Sequence, residues 1–306
     1  MANFAHNWAI LSSLCIIIAQ GTYVANTKAR FDDFKVLRVQ VPNKDAHKYI
    51  SDPDFESLYN IWAEPRIGKH SDIMVSPENI KKVVGGLNEM NLTFSIMIEN
   101  VQRLIELESK PRKTIDQKIM EDHPMTWTEY HSQDDMEAYM DYLADKYSDI
   151  VSIEDIGTSY EGRPMRVLKI CKGGTCGEKP AMWIDGGIHA REWISPAVTT
   201  YHMQQLLENG DAYPTDLLDK LDWYILPVHN PDGYEYTRTD NRMWRKNRYS
   251  SVLNNRTVEN KTTYSSMNEK LYIILVYQKD TKFGIYLYGN GYESKLRIYV
   301  EYGWNI

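Results

Sequence analysis

"PAMWIDGGIHAREWISPAVTTYHMQQLLEN", residues 180–209, decides the fold. It opens with "AMWID", an apolar run of strand length. Gly186 and Gly187 follow and let the chain bend at the strand end. "SPAVTTYHMQQLLEN" then reads as a helix, with Ser195 as N-cap and Pro196 in its first turn. Strand, glycine turn and helix in succession predict an α/β sheet, and open α/β sheets place ligand sites at such strand ends. The neighbouring segments agree. "IVSIEDIG", "PMRVLKI" and "DWYILPV" read as short strands, the last running into the turn "NPDG". "MTWTEYHSQDDMEAYMDYLADKY" reads as a strand-like lead and an amphipathic helix with Met136, Tyr139, Met140 and Leu143 inward. Residues 122–249 therefore predict an α/β unit with a mixed or parallel central sheet.

Residues 22–108 predict a smaller unit. "FKVLRVQV" alternates, with Leu37, Val39 and Val41 on one face, which predicts a strand. "DPDFESLYNIWAE" sets Phe55, Leu58, Tyr59 and Trp62 at helical spacing. "SPENIKKVVGGL" predicts a helix capped by Ser76, with Pro77 in its first turn and Ile80, Val83, Val84 and Leu87 as its stripe. "LTFSIMI" is a second strand, and "ENVQRLIELES" a last helix with Val101, Leu104 and Ile105 inward. Together they predict a small open α/β sandwich. The polar linker at 109–121 carries the basic pair Arg112-Lys113, which suits either a cleavage site or a solvated connector.

The net charge of −7 gives no basic field for a nucleic-acid partner. "WAILSSLCIIIAQG" near the start has signal-peptide length and ends in small residues, so residues 1–21 are expected to direct secretion; a buried apolar helix is the other reading. No second long apolar run follows, and no membrane anchor is expected. Cys15 lies in that leader. Cys171 and Cys176 remain, in "CKGGTC", and suggest a small disulfide loop in an extracellular protein. A zinc pair is the rival reading, but no second Cys or His pair accompanies them. Asn91, Asn255 and Asn260 head glycosylation triplets, which fit the same compartment.

Within the opening stretch, His189 and Glu192 stand three apart just past the strand. An imidazole and a carboxylate at that spacing can face the same side of a turn and offer two donors to zinc, which in catalytic sites takes three protein ligands and keeps one position open. The bare spacing also occurs on ordinary surfaces, and it is not the H-E-x-x-H helix pattern.

The surroundings are more specific. "WIDGGIHAREWISPA", "LPVHNPDGYEYTRTDNRMWRKNR" and "TSYEGRPM" resemble the secreted zinc carboxypeptidases of the A/B type, the M14 metallocarboxypeptidases. The preceding unit and its basic linker resemble the activation propeptide of their zymogens. The resemblance implies zinc-dependent removal of single residues from peptide C-termini, one Zn2+ per complete domain, and activation by a trypsin-like protease near Arg112-Lys113. It also implies a monomer whose partners are peptide or protein C-termini, with no nucleic acid and no membrane. By the same resemblance, His189 and Glu192 match the first two zinc ligands and Arg191 and Arg242 line the substrate subsites. Arg245 matches the arginine that stabilises the oxyanion.

The pattern stops near Tyr249. The family's third ligand is a histidine further downstream, and no histidine follows His229. The family's glutamate base and its carboxylate-gripping Asn-Arg pair are also unmatched; Asn247-Arg248 follows Arg245 too closely, Asn255-Arg256 lacks the flanking residues, and neither is assigned. His202 and His229 read as packed or surface histidines. Residues 250–306 contain no Ala, Pro, Cys or His and hold 8 of the 22 tyrosines. They read as a divergent or mis-joined tail of unassigned fold. The expectation is an incomplete catalytic domain, inactive in this chain as written. A non-catalytic binding homologue and a mis-spliced product are the alternatives.

Overall fold

The computed structural model describes residues 28–109, 123–173, 175–209 and 217–249, together with the backbone of two strands at 271–279 and 282–288. The leader, the Arg112-Lys113 pair and Asn255-Arg256 lie outside the described residues.

The first unit is a four-stranded antiparallel sheet in the order β2-β3-β1-β4. Its strands are β1 (Lys35–Val41), β2 (Tyr59–Ala63), β3 (Lys69–Val75) and β4 (Phe94–Ile98). The helices are α1 (Lys44–Ile50), α2 (Pro53–Glu56), α3 (Ile80–Glu89) and α4 (Val101–Glu108). The alternation in β1 does what it predicts. Leu37, Val39 and Val41 are buried with Ile73, Val75, Val83 and Leu87 on one side of the sheet. Val36 points the other way, into a smaller cluster with Phe31, Met74, Val101 and Ile105, against which Met243 of the second unit packs.

Four local expectations are corrected. The helix expected over 52–64 is one turn, capped by Asp52 and followed by β2, which pairs with β3 through Tyr59↔Val75 and Ile61↔Ile73. Ser76 does not cap α3, which starts at Ile80 after Asn79. Leu104 faces solvent at 45% exposure while Val101 and Ile105 are buried, because an eight-residue helix on a sheet buries only a narrow stripe. No strand forms in the lead at 125–132, where bends and irregular chain run into the next helix.

The second unit is a mixed sheet in the order β10-β9-β7-β8-β6-β5. Its strands are β5 (Val151–Thr158), β6 (Pro164–Ile170), β7 (Ala181–Asp185), β8 (Asp222–Leu226), β9 (Leu271–Lys279) and β10 (Lys282–Tyr288). β7 runs parallel to β8 and to β9, while the β5–β6, β6–β8 and β9–β10 pairs are antiparallel. The helices are α5 (Gln133–Lys146), α6 (Ile194–Leu207), α7 (Leu217–Lys220) and α8 (Pro231–Thr239). α5 begins with a full capping box on Ser132 and Asp135 and buries Met136, Tyr139, Met140 and Leu143, as its periodicity predicts. "NPDG" is not a turn. Asn230 caps α8 with Pro231 in its first turn, a helix start in which proline's missing N–H costs nothing. Cys171 and Cys176 form a disulfide, with their Cα atoms 5.2 Å apart. No helix among the described residues is long and apolar enough to cross a membrane.

Candidate active site

The loop between β7 and α6 carries the motif. Gly187 has φ +71°, a conformation L side chains rarely adopt. At Gly186 an added Cβ would lie 2.8 Å from the Ser195 carbonyl oxygen. Ser195 is not the N-cap that its position suggests; α6 starts after Trp193, and Ser195 Oγ accepts from the Gly187 N–H at 3.0 Å. The two glycines thus let the strand end fold tightly onto the helix start. That fold turns His189 and Glu192 to one side.

His189 Nδ1 lies 3.1 Å from Glu192 Oε1 and 3.2 Å from Oε2. Arg245 Nη2 stands 3.3 Å from the same Nδ1. Both donor side chains are mostly buried, at 25% and 17% exposure, so their pairing sits at a partly desolvated spot. Two further arginines close the cluster. Arg242 Nη1 donates to the Arg191 carbonyl at 2.8 Å, and its guanidinium lies 3.7 Å above the Trp193 ring. Burial lowers the Arg191 pKa to about 10, and the nearby charge of Arg245 adds to the effect.

The first unit covers these arginines. Arg191 donates to Asn60 Oδ1 at 2.6 Å and to the Ile61 carbonyl at 3.0 Å, both on β2. Arg242 forms a bidentate pair with Glu108 at the end of α4, at 2.7 and 3.0 Å. A cleft of about 290 Å³ remains between the units, lined by Phe31, Asn60 and Met74 on one side and Met243, Trp244 and Arg245 on the other. Sequence reasoning misses Asn60 and Glu108 because nothing local marks them.

His202 and His229 lie apart from this pair. His229 is buried, with Nδ1 3.6 Å from Asp185 Oδ1. His202 lies on α6, where burial lowers its pKa to about 4. Arg248 stacks 3.7 Å over Tyr236 and pairs with Glu161, away from the cluster. Zinc asks for three donors. His189 and Glu192 fit two, and among the described residues no three His, Cys, Asp or Glu side chains come together. The described donors therefore fit two positions of a zinc site and not a whole one.

Known proteins resemble this chain in sequence and fold. The sequence profile of zinc carboxypeptidases matches residues 136–266, and that of the carboxypeptidase activation peptide matches residues 37–108. Carboxypeptidase B of Astacus astacus is 50% identical over 124 residues, 40% of each chain. Carboxypeptidase A1 of Mus musculus is 35% identical over 223 residues, 71% of this chain and 53% of that protein. The crystal structure of carboxypeptidase A from Helicoverpa armigera superposes with a TM-score of 0.63 at 27% identity, over 73% of this chain and 55% of the other. The chain spans about half the length of the curated relatives it matches, between 40% and 54% for the Astacus enzyme and an Anopheles gambiae zinc carboxypeptidase. An activation-peptide segment precedes a peptidase segment, relatives more than 30% identical cover over two thirds of the chain, and the chain belongs to the zinc carboxypeptidases of the M14 family in their zymogen form.

Proposed function

We propose that this chain is a secreted zymogen built for zinc-dependent hydrolysis of C-terminal residues from peptides. The observation that carries the proposal is that Glu192 and Arg245 both lie within 3.3 Å of His189 Nδ1, in a stretch that resembles the family motif. His189 and Glu192 would hold the metal, and zinc bound with an open position lowers the pKa of its water. Arg245 would face negative charge as it develops on a peptide carbonyl, a role in which one fixed donor is worth about 3 kcal/mol. Arg191 and Arg242 offer cations for the substrate beyond the scissile bond.

The activation peptide supplies the inhibition. Asn60, Ile61 and Glu108 occupy the hydrogen-bonding groups of both subsite arginines, so a substrate reaches them only after this unit moves away. A trypsin-like cut at Arg112-Lys113 is the proposed trigger, and release into an extracellular compartment fits the leader and the disulfide.

The test is direct. The purified chain is incubated with zinc, treated with trypsin and offered peptides ending in basic or apolar residues. Release of single C-terminal residues, abolished by a chelator and by Glu192→Gln, supports the reading. A folded chain that binds zinc at less than one equivalent and hydrolyses nothing favours the non-catalytic homologue, a reading that the two-donor set specifically supports.

A further inference from the structure

The loop bearing His189 and the segment bearing Arg245 are more than fifty residues apart in sequence, and one buried side chain joins them. Asn230 is 2% exposed. Its Oδ1 accepts from the Gly233 N–H at 3.0 Å and caps α8. Its Nδ2 donates to the Ile188 carbonyl at 3.3 Å and to the Lys246 carbonyl at 3.1 Å. The residue before His189 and the residue after Arg245 thus hang on the two protons of one amide. Backbone bonds extend the bracket: the Ala190 N–H donates to the Arg245 carbonyl at 3.0 Å, and the Asn230 N–H to the Gly187 carbonyl at 3.2 Å. Gly233 leaves the room this needs, since a Cβ there would lie 2.5 Å from Asn230 Nδ2 and 2.6 Å from the Lys246 oxygen.

Capping alone does not call for this side chain. Asp and Ser cap a helix about as well as Asn. Only an amide accepts with its oxygen while donating two protons from its nitrogen. We propose that Asn230 is a positioning residue: it touches neither His189 nor Arg245, but fixes the separation of the two segments that carry them. A misplacement of about 1 Å between reacting groups can cost about a hundredfold in rate. The catalytic consequence rests on the carboxypeptidase reading; the bracket itself does not.

The experiment compares the full wild-type chain with Asn230→Ser and Asn230→Asp, which keep a capping oxygen and lose the two amide N–H donors. Amide exchange at Ala190 and Gly233 is read by NMR alongside the urea midpoint. The expected result is Ala190 exchange at least about tenfold faster in Asn230→Ser, beyond any change at Gly233. Equal acceleration at both sites, in proportion to lost global stability, overturns the proposal. If neither variant folds, the wild type decides: slow exchange of the Asn230 side-chain amide protons supports it, and exchange at the solvent rate overturns it. If the trypsin-treated chain is active, kcat is expected to fall about a hundredfold in Asn230→Ser with KM changed less than threefold, and a loss confined to KM overturns the catalytic consequence. If the chain is inactive, the proposed hydrolysis fails for this chain while its family membership stands, and the exchange result still judges the bracket.

Discussion

Replacing Glu108 by Gln should loosen the activation peptide from the peptidase unit by about 2 kcal/mol. Glu108 meets Arg242 through two parallel bonds of 2.7 and 3.0 Å, the bidentate geometry in which charge-assisted bonds are strongest. The side chains are 11% exposed for Arg242 and 26% for Glu108, between a surface pair and a buried one. An exposed pair contributes about 0–1 kcal/mol, and truncating one partner of a buried pair costs about 3–5 kcal/mol. Arg242 cannot swing away to recover hydration, because its guanidinium is held over Trp193 and bonded to the Arg191 carbonyl. A loss of about 2 kcal/mol is about thirtyfold in the docking equilibrium. Urea unfolding of Glu108→Gln, Arg242→Gln and the double variant gives the pairwise coupling. A coupling of about 1.5–2 kcal/mol is expected. A value below about 0.5 kcal/mol would refute the claim that this pair holds the two units together.

Three further outcomes follow from the packing. Gly186→Ala should cost about 2–3 kcal/mol in urea unfolding, since its Cβ would press on Ser195 backbone atoms at 2.8 and 2.9 Å and on Thr199 Cγ2 at 2.9 Å. Changing both Cys171 and Cys176 to Ser should lower stability by about 2 kcal/mol, the chain-entropy value for so short a loop, and a reductant should do the same to the wild type. His202 has a folded pKa of about 4 against an ordinary 6.5, so the unfolded chain takes up its proton first as pH falls. The stability this neutral ring contributes is complete above pH 6.5 and is lost between about 6.5 and 4, by at most about 3 kcal/mol. Subtracting the curve of His202→Gln from that of the wild type over this window should show the loss, and parallel curves would contradict it.

Much of the architecture is legible where one periodicity dominates. The β1 alternation and the α5 stripe each bury the residues they name, because both elements lie on a single core face. The stretch 52–64 misleads for a physical reason. Phe55, Leu58, Tyr59 and Trp62 fit a helical stripe, yet Tyr59, Ile61 and Ala63 fit a strand equally well, and the waiting edge of β3 decides between them. Ser195 misleads differently: a hydroxyl at a helix start also serves a neighbouring loop, and Gly187 claims it. "NPDG" held a readable signal, an Asn before a Pro at a helix start, which turn chemistry masked. His189, Glu192 and Arg245 are singled out in the sequence by resemblance, and the structure brings their side chains together. Asn60 and Glu108 are not, because each meets its arginine across more than 130 residues of sequence and no local pattern records such a distance.

The electrostatics of the cluster explain why the activation peptide binds as it does. Arg191, Arg242 and Arg245 stand close enough for the charges of Arg245 and Arg242 to help lower the Arg191 pKa, although Glu192 lies among them. Like cations in a partly desolvated site repel, and the repulsion is relieved by an anion or by well-aimed carbonyl dipoles. The activation peptide brings both: the Glu108 carboxylate to Arg242, and the Asn60 side-chain oxygen and Ile61 carbonyl to Arg191. Arg245 borders the cleft of about 290 Å³. Removing the activation peptide would therefore strip Arg242 of its carboxylate and Arg191 of both acceptors at once. The guanidinium of Arg242 would then need another anion, and that of Arg191 other acceptors.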